Sequence, residues 1–345
     1  MVPTIHQLRR HVPPGARAAA LRGLRVWRRT LDEVRAVADR GARARLAGRD
    51  HGALAQVLGT AMSTSGNPVH AAFTLRLLRE AIAGKPIRGT VVEIGASPVP
   101  WLALALLMAG AERVHAVNVL DVTDTLDPAG VRVLATLVHL MVPGAAPASS
   151  FLRQDGGGCR LDPDRVVRHP HTDAAALDLP DGSVDLMLSF SVLEHVRALD
   201  AVLGRAAALT RPGGLGFHVI DLRDHRAMAD PHAFRRLDEG AFASSYGADH
   251  NPRLWPAYVM AFQAAGFDIL DAGHAGPFPV DPTGATDLIG IAAQPLAATW
   301  HASPSGITPW FGEADRAGLA VPWRDAPAVD LAVLGLNLLV RKPEV

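Results

Sequence analysis

Cysteine is almost absent from the 345-residue chain, where Cys159 stands alone. A single thiol excludes an internal disulfide and any zinc site built on several cysteines, and it fits a reducing, cytoplasmic setting. Lysine is nearly as scarce: Lys85 and Lys342 are the only two among 34 basic residues, and arginine supplies the rest. The same number of acidic residues brings the formal charge to zero, so the chain as a whole carries no electrostatic footprint for nucleic acid. No uncharged apolar run reaches the ~18 residues of a membrane span. The first residues also lack the apolar core and cleavage site of a secretory signal. These absences predict a chain with neither a nucleic-acid nor a membrane partner.

What is present is apolar content. At 49% hydrophobic, the chain can bury a core of one large domain with an appendage. Arginine is crowded into the first 50 residues, opposed there only by Asp32, Glu33, Asp39 and Asp50. Between them Leu21, Leu24, Trp27, Leu31 and Val34 recur at helical spacing. The pattern predicts a helix over 16–48, with the arginines either a solvated face or a surface for a partner. A second helix is predicted over His70 to Ala83. Residues 1–84 therefore read as an N-terminal helical extension, and its helices are where a homo-oligomer would form.

From residue 85 to 345 strands and helices alternate. TVVEIG reads as a strand and WLALALLMAG as a helix, ended by Gly110. ERVHAVNV and VDLMLSF are strands, SVLEHVRALDAVLGRAAALT a helix, RPGG a turn and LGFHVIDL a strand. RLWPAYVMAFQAAGF is a helix, followed by strands in DILDAGH and DLAVLGLNLLV. Such alternation implies an α/β fold, a doubly wound and mostly parallel sheet covered on both faces. Ligands of such sheets bind beyond the carboxyl ends of the strands. Two stretches interrupt the rhythm, about 121–169 and 275–329, and read as insertions. The second carries Trp300, Trp310, Phe311 and Trp323, either as the wall of a substrate cover or as staples to the sheet.

Four motifs stand in order: VVEIG at 91–95, AVNV at 116–119, DAAALDLPDGSVDLMLSFSVLEHV at 173–196 and LTRPGG at 209–214. Together they resemble the class I S-adenosylmethionine-dependent methyltransferases, in particular the small-molecule type with a "PDGSFD…LEH" signature. The resemblance covers about 89–267 and implies a seven-stranded sheet with an antiparallel last strand. It implies S-adenosylmethionine as cofactor and a small-molecule acceptor, methylated on oxygen or nitrogen in biosynthesis. It places cofactor contacts at Glu93, Gly95, Ser97, Asn118, Asp173, Ala174 and Ser189. The physical chemistry of several positions agrees. Gly95 tolerates φ > 0 and close approach. The following helix start offers N–H groups and a positive dipole end to a carboxylate. Glu93 could balance an ammonium.

Two positions depart from the family pattern. Ser97, Pro98, Val99 and Pro100 stand where glycines are usual; Ser97 reads as an N-cap, but two prolines remove two donors. Asn118 stands where an acidic residue usually accepts both ribose hydroxyls, with Asp121 near enough to substitute. A neutral hydrogen bond is worth about 1 kcal/mol less than a charge-assisted one, roughly a fivefold loss of affinity. These departures keep a second reading open, a methyltransferase fold with a non-methylating activity such as a cyclase.

Sulfonium is already an excellent leaving group, so the protein's work is to align the acceptor and take its proton. The candidate catalytic residues are His195, Asp221 and His225, with Arg223 paired either to substrate or to Asp224. No metal is assigned; the Asp/His grouping reads first as a hydrogen-bonding hub.

Overall fold

The computed structural model describes residues 68–155, 158–227, 230–246, 250–275, 313–321 and 323–344. The helix expected over 16–48, and with it that part of the expected self-association surface, lies outside the described residues, as do Trp300, Trp310 and Phe311.

The first described element is helix α1 (Pro68–Ala81). It is followed by β1 (Thr90–Ile94), α2 (Trp101–Met108) and β2 (Arg113–Val117). All eight residues of α2 are buried, which suits a helix apolar on every side and flanked by other helices. Strand β3 (Thr125–Leu126) leads to α3 (Pro128–Met141), whose start is set by Asp127: its carboxylate accepts from the Ala129 and Gly130 amides, with Pro128 at the first helical position. Strands β4 (Leu152–Asp155), β5 (Gly158–Leu161) and β6 (Val166–His169) follow.

Beyond them lie β7 (Val184–Phe190), α4 (Leu199–Leu209) and β8 (Thr210–Asp221). Helices α5 (Glu239–Tyr246) and α6 (Trp255–Ala264) precede β9 (Asp268–Ala275). Short helices α7 (Glu313–Ala317) and α8 (Ala328–Ala332) come before the closing strand β10 (Gly335–Arg341).

Seven strands form one sheet in the order β6-β2-β1-β7-β8-β10-β9. Neighbours from β6 to β8 run parallel, and β10 runs antiparallel to both β8 and β9. This is the doubly wound, mostly parallel seven-stranded sheet of a Rossmann-like methyltransferase fold, antiparallel last strand included. The strand order reverses at β1, so its carboxyl end is where such a sheet opens a crevice. Asp185 draws three strand starts together, accepting from the Thr90 amide at 2.8 Å and from Arg211 Nε at 2.6 Å.

One face of the sheet is covered by α1, α2 and α3, whose Leu75, Leu104 and Leu134 share a core with Val91 and Val114. The other is covered by α4 and α6 through Leu203, Tyr258 and Phe262. α1, read as part of the extension, is thus built into the main core.

Several local expectations change. The segment read as an insertion at 121–169 supplies α3 to the main core, β6 to the main sheet, and a small antiparallel sheet β3-β5-β4. The helix expected from Ser191 starts only at Leu199; before it lies a single 3₁₀ turn, Leu193–His195. Asn251 accounts for the delay, because its amide and side chain take the Glu194 and Val196 carbonyls that a continuing helix would need. RPGG is no free turn but the irregular first part of β8, with Gly213 at φ 72°. The apolar run at 330–340 is helix before it is strand, because Pro327 sets up α8 and β10 begins at Gly335.

Candidate active site at the carboxyl ends of the strands

The loop after β1 decides what a cofactor would meet. Gly95 has φ 75°, and a side chain there would overlap that of Val192. Glycine is therefore required by the approach of the β7 loop, a packing reason that operates without any ligand. The amides of Gly95 and Ala96 both donate to the Val117 carbonyl, at 2.8 and 2.9 Å.

Pro100, at φ −82° and ψ 62°, sits in an inverse γ-turn closed by the Trp101 amide on the Val99 carbonyl at 2.8 Å. Ser97 does not cap α2, because that turn delays the helix until Trp101 and leaves Pro100 at the cap position. Pro98 is exposed, and Val99 packs against the main core. The loop's remaining backbone donors are the amides of Ser97 and Val99.

Glu93, one residue before the end of β1, is 7% exposed, and its Oε2 has no hydrogen-bond partner among the described residues. Burial pushes its carboxyl up to about 8. Asn118, just past β2, ties the loops to each other: Nδ2 donates to the Ala96 carbonyl, and Oδ1 accepts from the Leu120 amide at 2.8 Å. One N–H and one lone pair remain for another partner. Asp121 is exposed and paired with His171 at 2.9 Å. Asp173 caps the short turn Ala174–Ala176 by accepting from the Ala175 amide.

Ser189, expected to face the cleft, is fully buried; its hydroxyl meets His218 Nδ1 at 2.8 Å across the β7–β8 pair. His218, in the middle of β8 against Phe262, belongs to the core, and burial lowers it to about 3.

A second group gathers where β7 and β8 end. His195 closes the 3₁₀ turn after β7, and His225 lies four residues beyond β8. His250 comes from the segment before α6. Their ring centroids lie 5.0 Å (His195–His225), 4.7 Å (His195–His250) and 5.4 Å (His225–His250) apart, all edge to face. Asp221 Oδ2 is 3.3 Å from His225 Nε2, the contact that their spacing anticipates, although the segment bends without becoming helical.

Arg223 grips Asp221 with two bonds, Nε to Oδ1 at 2.8 Å and Nη2 to Oδ2 at 2.6 Å, and does not pair with Asp224. Burial alone would raise Asp221, but the bonds from Arg223 and His225 outweigh it and hold the carboxyl well below its ordinary value. Asp224 is a loop hub, fully buried and bonded to Tyr246 Oη and the Arg226 amide.

His250, Glu194 and Arg235 are absent from the sequence-based candidates. His250 is 5% exposed, and neither ring nitrogen has a hydrogen-bond partner among the described residues. Burial, then His195 and His225, lower it to about 4. Glu194 is 2% exposed, neither carboxylate oxygen has a hydrogen-bond partner among the described residues, and burial followed by Asp221 raises it well above its ordinary value. Arg235 is fully buried, spanning the Leu222, Pro252 and Arg253 carbonyls and His232 Nδ1. LEH is the only sequence cue to Glu194; no spacing points to the other two.

Residues 150–217, from before β4 into β8, match the family model of a methyltransferase domain. No curated protein matches the chain. Among solved structures the chain is similar to an S-adenosylmethionine dependent methyltransferase from Mesorhizobium loti, at 14% identity over 77% of this chain and 97% of that one, TM-score 0.38. It is also similar to phosphoethanolamine N-methyltransferase 2 from Haemonchus contortus, solved in complex with S-adenosyl-L-methionine, at 15% identity over 78% and 52% of the two chains, TM-score 0.42. A third is the 4+2 cyclase SpnF, at 18% identity over 78% and 81%, TM-score 0.40. The strand order defines the fold more firmly than these likenesses.

Proposed function

We infer that this class I methyltransferase-fold chain binds S-adenosylmethionine at the carboxyl ends of β1, β2 and β7 and methylates a small-molecule acceptor. The observation that carries the reading is Glu93. A buried carboxyl with an unpartnered oxygen, at the point where strand order reverses, fits a cofactor that brings an ammonium group. The amides of Ser97 and Val99, ahead of α2, suit its carboxylate. Asn118 retains one donor and one acceptor for a ribose hydroxyl, and the Asp173–Ala174 turn borders the place for the adenine.

S-adenosylmethionine supplies a methyl group on sulfonium, which needs no activation. The chain's own task is the acceptor. His225, backed by Asp221, is placed to take a hydroxyl proton, and Asp221 steadies the imidazolium that results. Arg223 keeps Asp221 ionised and aimed. His195 shares the edge of the same space and orients the acceptor.

The narrow loop supports a second reading. With the Gly95, Ala96 and Trp101 amides committed and two prolines present, the cradle offers few donors, as a cofactor kept only as scaffold would tolerate. Incubation with methyl-labelled S-adenosylmethionine and a panel of hydroxyl- and amine-bearing acceptors separates the two. Label in product that falls at least about tenfold in His225→Ala supports methyl transfer. Product formed without label, at unchanged cofactor, supports the scaffold reading.

A further inference from the structure

We propose that His195, His225 and His250 together hold a divalent transition-metal ion. The three residues come from three separate loops, yet their potential ligand atoms all lie within 4.8 Å of one another. Zinc–imidazole bonds of about 2.0–2.1 Å put tetrahedral ligand nitrogens roughly 3.3 Å apart, so modest ring rotations close the trio on an ion.

The strongest single feature is His250. It is 5% exposed, sits edge-on to both other imidazoles, and satisfies neither ring nitrogen by a hydrogen bond among the described residues. Leaving a buried polar group bare is unfavourable, and an ion shared by the three rings would satisfy one of the two His250 nitrogens.

The fold also builds the shell around the trio. Asp221 Oδ2 lies 3.3 Å from His225 Nε2 and is itself fixed by Arg223, so it can orient that ring. The Asn251 amide donates to the Glu194 carbonyl at 2.6 Å, binding the residue beside His250 to the residue beside His195. Arg235 holds the Pro252 and Arg253 carbonyls.

Three imidazoles select zinc, cobalt, nickel, copper or ferrous iron over magnesium or calcium, which prefer oxygen ligands. Three protein ligands leave coordination positions open, the pattern of a catalytic and not a structural centre. If methyl transfer occurs here, an ion would polarise the acceptor's oxygen. That role rests on the function proposed above; metal binding does not. With an ion bound, the His225 ring would be a ligand and no longer the base: the metal would lower the acceptor's proton affinity, and the proton would leave to solvent.

The test uses the tag-free full chain, stripped by chelator and titrated with cobalt(II) and then zinc(II). The expected result is one ion per chain at micromolar affinity or tighter, visible d–d bands from cobalt, and their displacement by zinc. His250→Ala and, separately, His225→Ala should each weaken zinc binding at least about a hundredfold. Both should keep the wild-type circular dichroism spectrum and S-adenosylmethionine affinity. His225 is the safer of the two for folding, since its side chain is 28% exposed. Absence of d–d bands at millimolar cobalt overturns the proposal. So does binding that both folded variants retain, which would place the ion elsewhere. Metal binding without S-adenosylmethionine binding would remove the proposed function and leave this site standing.

Discussion

Affinity for S-adenosylmethionine should fall about fivefold from pH 8 to pH 7 and about ninefold more from pH 7 to pH 6, roughly fiftyfold in all. The cause is Glu93, whose buried carboxyl is raised to about 8 and is therefore mostly protonated at pH 7. An ammonium beside it favours the ionised form, so binding must expel the proton. Calorimetry in two buffers of different ionisation enthalpy at pH 7 should show close to one proton released per ligand bound. In Glu93→Gln the proton release should vanish, the pH slope should flatten, and affinity at pH 8 should drop.

The same group predicts stability in the free protein. A carboxyl raised on folding costs nothing below its unfolded value near 4.5 and costs progressively more as pH rises to about 8, where the loss levels off. Glu93→Gln should therefore be more stable than wild type at pH 8, by up to about a few kcal/mol, and equal it at pH 4, as thermal melts at the two pH values would show. Wild-type affinity that stays constant from pH 6 to 8, with no proton exchange, would remove Glu93 from the site.

Replacing Arg235 should produce the largest loss of stability. Its guanidinium is fully buried and joins four partners: the Leu222 carbonyl at 3.1 Å, the Arg253 carbonyl at 3.1 Å, the Pro252 carbonyl at 3.3 Å and His232 Nδ1 at 2.7 Å. It also lies over the Phe234 ring at 4.4 Å. Arg235→Ala strands buried carbonyls and opens a cavity, at a cost of about 3–5 kcal/mol. For a domain of this size that lowers the melting temperature by on the order of 10 °C.

Arg235→Lys should fall well short of rescue, because one ammonium cannot span the positions a planar fork reaches. By contrast Arg153, 58% exposed and paired with Asp162 and Asp164, should be replaceable by alanine with almost no change in melting temperature. Differential scanning calorimetry of the three variants checks the ordering. An Arg235→Ala melt within 2 °C of wild type would contradict the described hub.

The motifs that could be read in the chain are those whose meaning is local. TVVEIG followed by WLALALLM needs only a period of two and a fully apolar helix to be recognised, and the structure puts β1, Gly95 and α2 there. Asp221 and His225 are near in sequence, so their pairing was open to inspection; Arg223's choice of Asp221 over its immediate neighbour was not. Short strands hide more easily. β6 is four residues, Val166–His169, inside a stretch with no repeating pattern, yet it forms an edge of the main sheet.

Helix starts depended on contacts from elsewhere. Asn251 withholds two carbonyls from the segment before α4, and no residue between 191 and 199 announces it. His250 has the same character: a polar loop residue whose neighbours, His195 and His225, become neighbours only when two strand-end loops and the segment before α6 converge. Ser189 shows the reverse. A residue at a strand end reads as facing a cleft, but the register with His218 turns it inward.

The central claim is that the carboxyl end of β1 receives S-adenosylmethionine, with Glu93 as its ammonium partner. The most direct measurement is isothermal titration of the full chain at pH 8 with S-adenosylmethionine and S-adenosylhomocysteine, repeated on Glu93→Gln. We expect one site per chain for both ligands, with micromolar to submillimolar affinity in the wild type and at least about tenfold weaker binding in the variant. No heat of binding at millimolar ligand, or equal affinity in both proteins, would contradict the account.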